Sequence, residues 1–432
     1  MDQAHIHDSL RAPMAGAGAA ITVVLQSTAV IAPLASVYAP LFMAPLMLIA
    51  ALAIVLAALR ERRRIPVQGR PLLILLGILV LWGAISSQWS VYAMGSFTAA
   101  LQLLALFAAG AVVVGGAVLL DGAEAARIRR ALVIGILVTL VIYTVEMVLN
   151  SPIQSLIKES HVGLEQIYSP FNRGLAVLVL LLPPAALALR RGGYQNSAIA
   201  LLAATMAIVY VYYGTSVALG VACGIIAGTL SFLGRGPMTR LIGWLAAAMV
   251  LASPFVAREA ITPGLLDTVG EEVYNISIPH RLVIWQFVGT KALERPMTGW
   301  GLDASRSFPG GKTTAPVTTR MCQPPCSTQV EQLPLHPHNM ALQWWLELGL
   351  PGAALGATIL SWFFHLIPRV ALDRIEEGLL VGQLTAGAMI AALSYGAWQS
   401  WWLSTLVIAV ALSTAATRVM PSPTAAIGRS YR

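Results

Sequence analysis

Long runs of apolar residues, separated by short polar stretches, recur along almost the whole chain. Runs of about 20 apolar residues can cross a bilayer as α-helices, which pair their backbone groups internally where lipid offers no partner. The predicted membrane helices lie at about 15–35, 40–59, 71–87, 96–120, 131–149, 172–189, 197–212, 215–233, 241–257, 340–367, 378–396 and 401–417. The pattern therefore predicts an all-α polytopic membrane protein with about twelve transmembrane helices.

Two polar segments interrupt this rhythm, at about 150–171 and 258–338. The second is too long for a simple connection between helices. It divides one integrated membrane domain into a nine-helix part at 1–257, a large loop at 258–338 and a three-helix part at 339–432. Within the loop, apolar residues recur at near-helical spacing from Arg281 to Leu293, and Pro296 follows. This spacing predicts an amphipathic helix that lies across the outer face.

Composition agrees with this interpretation and orients the chain. The sequence is 57% hydrophobic and only 11% charged, whereas soluble domains are about 25% charged. The net charge of +8 comes from Lys and Arg that gather mostly in alternate connections, and the segment 258–338 is close to neutral. This positive-inside pattern places both termini in the cytoplasm, and it argues against a basic patch for nucleic acid. Asp2 and Asp8 precede a first apolar run that is long enough to span, so no cleaved signal peptide is predicted.

The cysteines carry one structural prediction. Cys223 lies in an apolar run and is expected to be a small packing residue. Cys322 and Cys326 fall on the predicted outer side, where disulfides persist, and their close spacing favours a disulfide that closes a tight loop. A metal site with His336 and His338 is the alternative, but the sequence lacks a standard ligand pattern, so we expect no metal.

The sequence His336-Pro337-His338-Asn339 ends the longest polar segment and stands at the mouth of a membrane helix. The stretch Gly349–Gly352 interrupts that helix, because Pro351 removes a backbone donor, and a short helix is therefore predicted from Asn339 to Leu348. At the positive end of this helix His338 is expected to stay neutral, which suits a general base. A structural histidine is the alternative. His336 is expected to support the loop.

Three cations on the predicted outer side are candidates for binding an anion. Arg173 lies where a helix enters the membrane, and Arg281 begins the amphipathic helix. Lys158 is a third candidate in the first polar segment. A guanidinium group forks well onto phosphate oxygens. The alternatives are an interfacial snorkelling role for Arg173 and a surface ion pair with Glu271 or Glu272 for Arg281.

Four aromatic residues gather near one predicted outer helix junction. They are Tyr395, Trp398, Trp401 and Trp402. We expect an aromatic belt at the membrane interface, and a platform for stacking sugars is the alternative.

Three motifs together resemble the O-antigen ligase and polymerase superfamily. They are Arg281-x-x-Ile284-Trp285, Pro296-x-x-Gly299-x-Gly301 and His338-Asn339-x-x-Leu342-x4-Glu347-x-Gly349. The sequence Phe171-Asn172-Arg173 also resembles an outer-side Arg motif of that superfamily, and the helix count and late outer loop fit over the whole chain. One departure is the turn Gly214-Thr215-Ser216-Val217, which lacks the Arg that often follows the Ser in family members.

The resemblance implies a glycosyltransferase of the lipopolysaccharide O-antigen ligase type. Such an enzyme moves a finished glycan from undecaprenyl diphosphate to a sugar hydroxyl of lipid A–core at the periplasmic face of the bacterial inner membrane. It implies His338 as the base of an inverting transfer and Arg173, Arg281 and Lys158 as diphosphate-binding residues. Supporting roles follow for His336, Asn339 and Trp285.

No nucleotide motif is present, and no cofactor is expected. The alternatives within the superfamily are an O-antigen polymerase and a protein O-oligosaccharyltransferase. A transporter or flippase for lipid-linked sugars is the alternative from another class. Repeat halves or broken helices at mid-membrane would favour it, and the sequence indicates neither.

Overall fold

The computed structural model describes residues 17–67, 69–158, 171–212, 214–273, 276–320 and 326–418. Its α-helices are α1 (Ala19–Tyr38), α2 (Met43–Arg60), α3 (Arg70–Ser86), α4 (Ala93–Leu119), α5 (Gly122–Val148), α6 (Pro152–Lys158), α7 (Phe171–Arg191), α8 (Gln195–Val211), α9 (Thr215–Ala260), α10 (Pro263–Glu272), α11 (Ser277–Glu294), α12 (Met340–Val370), α13 (Arg374–Leu393) and α14 (Ser400–Thr417). Short 3-10 helices span Pro40–Phe42 and Ala304–Ser307. Two strands, β1 (Thr314–Thr319) and β2 (Cys326–Glu331), form one small sheet.

Eight helical segments in the described part of the chain are long and apolar enough to cross a membrane. They are α1, Pro40–Arg60, α4, α5, α7, α9, α12 and α14. Helices α3 and α8 are apolar but shorter. The structure thus confirms a mostly helical, multi-pass membrane protein, while the total of about twelve spans stays a prediction.

A β-hairpin in the long polar segment departs from the all-α prediction. β1 and β2 pair antiparallel, with Thr314 opposite Glu331 and Thr319 opposite Cys326. Val317 and Val330 are buried against Val283 of α11. Most other side chains of the two strands are polar and only partly covered. The strands therefore carry too short an apolar signal to be recognised in the sequence.

The amphipathic helix predicted at Arg281–Leu293 is present as α11. Its buried residues include Val283, Ile284, Val288 and Ala292, which recur at helical spacing. The buried face packs against α9 and α12. The long segment is therefore docked on the helical bundle through this face.

Helix α7 is the most enclosed of the eight candidate spans in the described residues. Its residues from Gly174 to Ala188 are all buried. At its start, the ring of Phe171 packs edge-on against the rings of Tyr143 and Tyr212. This aromatic packing fixes the end of α7 from which Arg173 projects.

The break predicted near Gly349–Gly352 lies at Gly349, which has φ 63° and ψ −160° inside α12. The break frees carbonyl groups that a continuous helix would use. The Leu346 carbonyl accepts from the Trp300 backbone N–H at 2.9 Å, and the Glu347 carbonyl accepts from the Gly301 N–H at 2.8 Å. The broken helix therefore binds the glycine-containing turn at 299–301 and holds the long polar segment against the first turns of α12.

Candidate active site

His338 lies where the long polar segment joins α12, and its backbone is in the left-handed region with φ 51°. A non-glycine residue occupies this region at a cost of about 1–3 kcal/mol, so the surrounding structure must hold it there. The next residue, Asn339, is the N-cap of α12, and its side chain accepts a hydrogen bond from the Leu342 N–H at 3.0 Å. The start of α12 is thus fixed immediately beside His338.

The hydrogen bonding of the His338 ring determines which nitrogen is free. Its Nδ1 lies 2.9 Å from the backbone carbonyl oxygen of Ser394. Because a carbonyl oxygen only accepts, Nδ1 carries the proton and donates it. In the neutral ring Nε2 is then the unprotonated nitrogen, and it has no hydrogen-bond partner among the described residues. This geometry leaves Nε2 able to accept a proton from a bound molecule.

The surroundings of His338 favour the neutral ring. The pKa of His338 is lowered to about 4. Burial is the largest cause, and the charges of Arg281 and His280 act in the same direction. The hydrogen bond to the Ser394 carbonyl acts in the opposite direction. The helix dipole predicts a lowered pKa and a neutral ring for His338. The pKa is lowered in the structure, but burial is its main cause.

His336 contacts the backbone of His338, and its predicted supporting role stays a prediction. Its Nδ1 accepts a hydrogen bond from the His338 N–H at 3.1 Å, and the two ring centroids are 4.2 Å apart. The side chain of Gln399 lies 3.2 Å from the His336 Nε2. Burial lowers the pKa of His336 to about 3, so two neutral imidazoles stand side by side.

The charges of Arg173 and Arg281 converge on this histidine pair. Arg281 is half-buried, and its Nη1 donates to the Ser216 Oγ at 3.0 Å. Arg173, the third residue of α7, is exposed. Both guanidinium charges lower the pKa of His336, and both act on the pKa of Tyr395, which burial raises overall. Two contacts link this region: the Tyr395 hydroxyl donates to the Asn172 carbonyl, next to Arg173, and the neighbouring Ser394 carbonyl accepts from the His338 Nδ1.

The structure contradicts the surface ion pair that is the alternative role for Arg281. In the described chain Arg281 bonds Ser216 and makes no ion pair with Glu271 or Glu272. Ser216 belongs to the turn that lacks the family's Arg, so this turn contributes a hydroxyl partner for Arg281 instead of a cation. Burial lowers the pKa of Arg281, as expected for a guanidinium group removed from solvent.

The other predicted site residues have different outcomes. The Trp285 Nε1 donates to the Pro337 carbonyl at 3.0 Å and so holds the turn between the two histidines against α11. Lys158 is the last residue of α6, and its side chain lies outside the described residues. Its predicted contact with the anion stays a prediction. Cys326 is disulfide-bonded, and Cys322 lies outside the described residues, so their pairing also stays a prediction.

The aromatic belt predicted at the outer junction is wrong for Trp401 and Trp402. Both are buried, with Trp402 fully covered, and they pack with Tyr395 in the main hydrophobic core. The Tyr395 hydroxyl donates to the Asn172 carbonyl at 3.2 Å. These rings therefore join the loop 394–399 to the start of α7, beside Arg173.

Two residues near the histidines received no role from the sequence, although Glu347 belongs to the motif that begins at His338. Glu347 is fully buried and accepts hydrogen bonds from the Asp303, Ser305, Gln343 and Trp398 groups. In the sequence Glu347 is a carboxylate inside an apolar run, and an ionisable residue in such a run suggests a functional role. Arg306 adds a further positive charge that lowers the pKa of His336. No local pattern marks Arg306, because its position depends on the loop that Glu347 holds.

This arrangement combines a neutral imidazole that has an available nitrogen with guanidinium groups whose charges act on the histidine pair. An imidazole of this kind can accept a proton from a hydroxyl group, and guanidinium groups can stabilise developing negative charge on phosphate. Within the described residues, no group of three or more His, Cys, Asp or Glu side chains is arranged to hold a metal ion.

Comparison with known proteins agrees with the resemblance seen in the motifs. A family model described as O-Antigen ligase matches residues 176–356, which include Arg281 and His338. Arg173 lies just before this region.

Curated relatives come from Rickettsia species and are provisionally named polysaccharide ligases. One from Rickettsia prowazekii (strain Madrid E) is 26% identical over 279 residues, which are 64% of each chain. One from Rickettsia conorii (strain ATCC VR-613 / Malish 7) is 25% identical over 329 residues, 75% of this chain and 74% of the relative. A third, from Rickettsia bellii (strain RML369-C), is 29% identical over 157 residues, 36% of each chain. The chain thus spans 64% of the length of the Rickettsia prowazekii relative. The predicted resemblance is confirmed, because residues 176–356, which include His338 and Arg281 of the candidate site, match the model of the O-antigen ligase family.

Proposed function

We propose that the protein transfers a glycan from undecaprenyl diphosphate to a sugar hydroxyl of lipid A–core, as an O-antigen ligase. The reaction takes place at the periplasmic face of the inner membrane. In this proposal twelve helices cross the membrane, with both termini in the cytoplasm, because the Lys and Arg residues gather in alternate connections.

One observation carries the proposal most directly. His338 keeps an unprotonated Nε2 while its Nδ1 donates to the Ser394 carbonyl, and the charges of Arg173 and Arg281 reach the same histidine pair. This combination lies in and beside a region of the O-antigen ligase family. It supports a base for a hydroxyl acceptor and cations for a diphosphate leaving group, which a lipid-diphosphate-dependent transfer requires.

The proposed step is a direct displacement at the anomeric carbon. The His338 Nε2 takes the proton of the acceptor hydroxyl as its oxygen forms the new bond to the anomeric carbon. The bond from that carbon to the diphosphate oxygen breaks, and the electron pair leaves with undecaprenyl diphosphate. Arg173 and Arg281 stabilise the charge that develops on the diphosphate. Attack from the face opposite the leaving group inverts the anomeric configuration.

The names of the relatives favour a ligase over the alternatives, because each is a polysaccharide ligase by name. A polymerase would use a second lipid-linked glycan as the acceptor, and an oligosaccharyltransferase would use a protein hydroxyl. A flippase would need no base at all. The partly buried, neutral His338 is a better fit to a transfer reaction than to translocation.

A reconstituted assay separates these functions. The purified protein in liposomes is given undecaprenyl-diphosphate glycan and rough lipopolysaccharide, without nucleotide and with chelator. We expect glycan on lipid A–core, seen as a mass shift of the lipopolysaccharide on a gel. Extension of the donor glycan without acceptor product would identify a polymerase, and movement of the lipid-linked glycan across the bilayer without any new bond would identify a flippase.

A further inference from the structure

Glu347 is a buried carboxylate that organises the loop beside the histidines. It accepts from the Asp303 N–H at 2.6 Å, from the Ser305 N–H at 3.3 Å and from the Ser305 Oγ at 2.5 Å. The Gln343 Nε2 and the Trp398 Nε1 donate to it as well. Glu347 is completely buried, so these donors replace the water that a carboxylate needs. The segment 303–305 is therefore tied to the same helical turns that follow His338.

Arg306 follows this anchored segment and is itself oriented. Its Nε lies 3.0 Å and 2.8 Å from the two carboxylate oxygens of Asp303. Asp303 is in the left-handed region with φ 57°, immediately before the 3-10 helix Ala304–Ser307. Among the described residues, the Nη1 and Nη2 groups of Arg306 have no hydrogen-bond partner, and its side chain is 51% exposed. One edge of the guanidinium is thus fixed by protein while two NH₂ groups remain for a ligand.

The location of Arg306 connects it to the candidate site. Its charge, with those of Arg173 and Arg281, is one of the three arginine charges that lower the pKa of His336. Direct contacts give the same connection. The Gln343 and Trp398 side chains donate to Glu347, the Gln343 Oε1 accepts from the Ala397 N–H at 2.7 Å, and the Gln399 side chain lies 3.2 Å from the His336 Nε2. The anchored segment before Arg306 is thus joined to the junction that holds the histidine pair. A guanidinium group with two free NH₂ groups matches the oxygens of a phosphate.

We propose that Arg306 binds a phosphate group of one of the two substrates, and that Asp303 and Glu347 position it for that contact. This proposal rests on the transfer reaction proposed above. The phosphate belongs either to the diphosphate of the lipid-linked donor or to a phosphorylated sugar of the lipid-anchored acceptor. Arg306 is a binding residue in this account, and Asp303 and Glu347 are positioning residues.

The variant Arg306→Ala tests the contact, and Arg258→Ala is its matched control. Arg258 is similarly exposed, at 53%, and its Nε also pairs with a neighbouring carboxylate, Glu259, at 3.2 Å. We expect Arg306→Ala to raise KM for one substrate about tenfold or more, with a smaller change in kcat, because a charge-assisted bidentate contact is lost. Arg306→Lys should recover part of the loss, since it keeps the charge without the fork. Arg258→Ala should match the wild type.

The choice of substrate identifies the source of the phosphate. A raised KM for the undecaprenyl-diphosphate glycan indicates the donor diphosphate. A raised KM for rough lipopolysaccharide, which disappears when the acceptor is first treated with phosphatase, indicates the acceptor phosphate. Equal KM values for Arg306→Ala and Arg258→Ala toward both substrates would overturn the proposal.

The positioning roles are tested by Asp303→Asn and Glu347→Gln. Both should raise KM for the same substrate as Arg306→Ala, and neither should add to the effect of Arg306→Ala in a double variant. If Glu347→Gln does not fold, Asp303→Asn still tests the relay, because it leaves the backbone hydrogen bond to Glu347 in place. Fully additive effects would assign the two carboxylates a structural role only.

Equilibrium binding separates failure of this inference from failure of the proposed function. Undecaprenyl diphosphate and phosphorylated rough lipopolysaccharide are each titrated against the wild type, Arg306→Ala and Arg258→Ala, without any transfer. If the wild type binds but transfers no glycan, the proposed function fails while weaker binding by Arg306→Ala still supports the contact. If transfer is normal and Arg306→Ala binds both probes as Arg258→Ala does, the contact is wrong and the proposed function stands.

Discussion

Two helices of this protein contain the same kind of backbone break, and they use it differently. In α12 the break is at Gly349, with φ 63° and ψ −160°, and in α9 it is at Arg235, with φ 51° and ψ −152°. Each break has a buried glutamate nearby, Glu347 in the first case and Glu377 in the second. The backbone geometry is nearly equal, so it does not explain why only one break adjoins the candidate site.

The difference lies in what the surrounding groups contact. At the Arg235 break, the Thr239 Oγ1 donates to Glu377 at 2.7 Å, and the Arg235 Nε lies 4.0 Å from the same carboxylate. These contacts join α9 to α13. At the Gly349 break, the freed carbonyls of Leu346 and Glu347 bind the turn at 299–301 from the long polar segment. A helix break becomes part of a site when a distant loop supplies the donors that satisfy it.

The largest expected effect distinguishes two histidines on either side of the Gly349 break. His338 and His365 both place Nδ1 against a backbone carbonyl, of Ser394 and Ser361 respectively. We expect His338→Ala to lower transfer by about 10²–10⁴-fold, because general-base catalysis is lost. His365→Ala should leave transfer near the wild-type rate in the reconstituted assay. Equal losses in the two variants, at equal thermal stability, would remove His338 from the base role.

The pH dependence of transfer sharpens the assignment. Burial lowers the pKa of His338 from 6.5 to about 4, so the neutral base is present above that pH and is lost as the pH falls through it. We expect kcat/KM to stay level from neutral pH down to about 5 and then to fall about tenfold per unit below 4. The measurement is kcat/KM across this range in one buffer series at constant ionic strength. A loss centred near pH 6.5 would mean that the environment does not keep His338 neutral.

A smaller effect is expected for Arg281, which lies near the start of α11, and Arg191 at the end of α7 provides the comparison. Arg281 bonds the Ser216 hydroxyl and has donors left for a ligand, whereas the Arg191 Nη2 donates to both carboxylate oxygens of the buried Glu376, at 3.0 Å and 3.1 Å. Arg281→Lys should lower kcat/KM about tenfold, because the planar fork to phosphate is lost. Arg191→Lys should lower the melting temperature without a specific loss of kcat/KM. The proposed diphosphate contact would be contradicted if Arg281→Lys changed only the melting temperature.

The last comparison is of the two break residues themselves. Substitution should change the free energy of unfolding in opposite directions at the two positions. Gly349→Ala should destabilise the protein by about 3 kcal/mol, since this combination of φ and ψ is open almost only to glycine. The added Cβ would also stand 2.7 Å from the Met297 carbonyl group. Arg235→Gly should stabilise it by about 1 kcal/mol, because relief of backbone strain exceeds the added entropy of the unfolded chain. Thermal unfolding in a single detergent measures both, and destabilisation by Arg235→Gly would show that the Arg235 side chain matters more than its backbone.

Some of the candidate site was recognisable from the sequence. The apolar runs predict the helices, the periodicity after Arg281 predicts α11, and the glycines at 349–352 predict the interruption of α12. These features are local, because helix formation depends on residues only a few positions apart. His338 was selected for the same reason, as a titratable residue at the start of a helix.

Other parts could not be obtained in this way. Trp401 and Trp402 have the composition of an interface belt but are buried, because the loop before them packs against the start of α7. The hairpin was missed because its strands are short and mostly polar. Whether a residue of a membrane bundle is buried depends on which helices lie beside it. Aromatic residues at the interface and aromatic residues in the core are equally hydrophobic, so the sequence does not distinguish them.

The sequence by itself determined that this is a polytopic helical membrane protein, where its helices are interrupted, and which histidine and arginines are candidates for its chemistry. Only the tertiary structure decided which nitrogen of His338 is free, that Arg281 bonds the Ser216 hydroxyl, and that Glu347 holds the loop of Arg306. The physical reason is separation along the chain. Glu347 meets Ser305 across 42 positions, and His338 meets the Ser394 carbonyl across 56. Contacts of this range follow from the packing of the whole bundle, whereas helices follow from neighbouring residues.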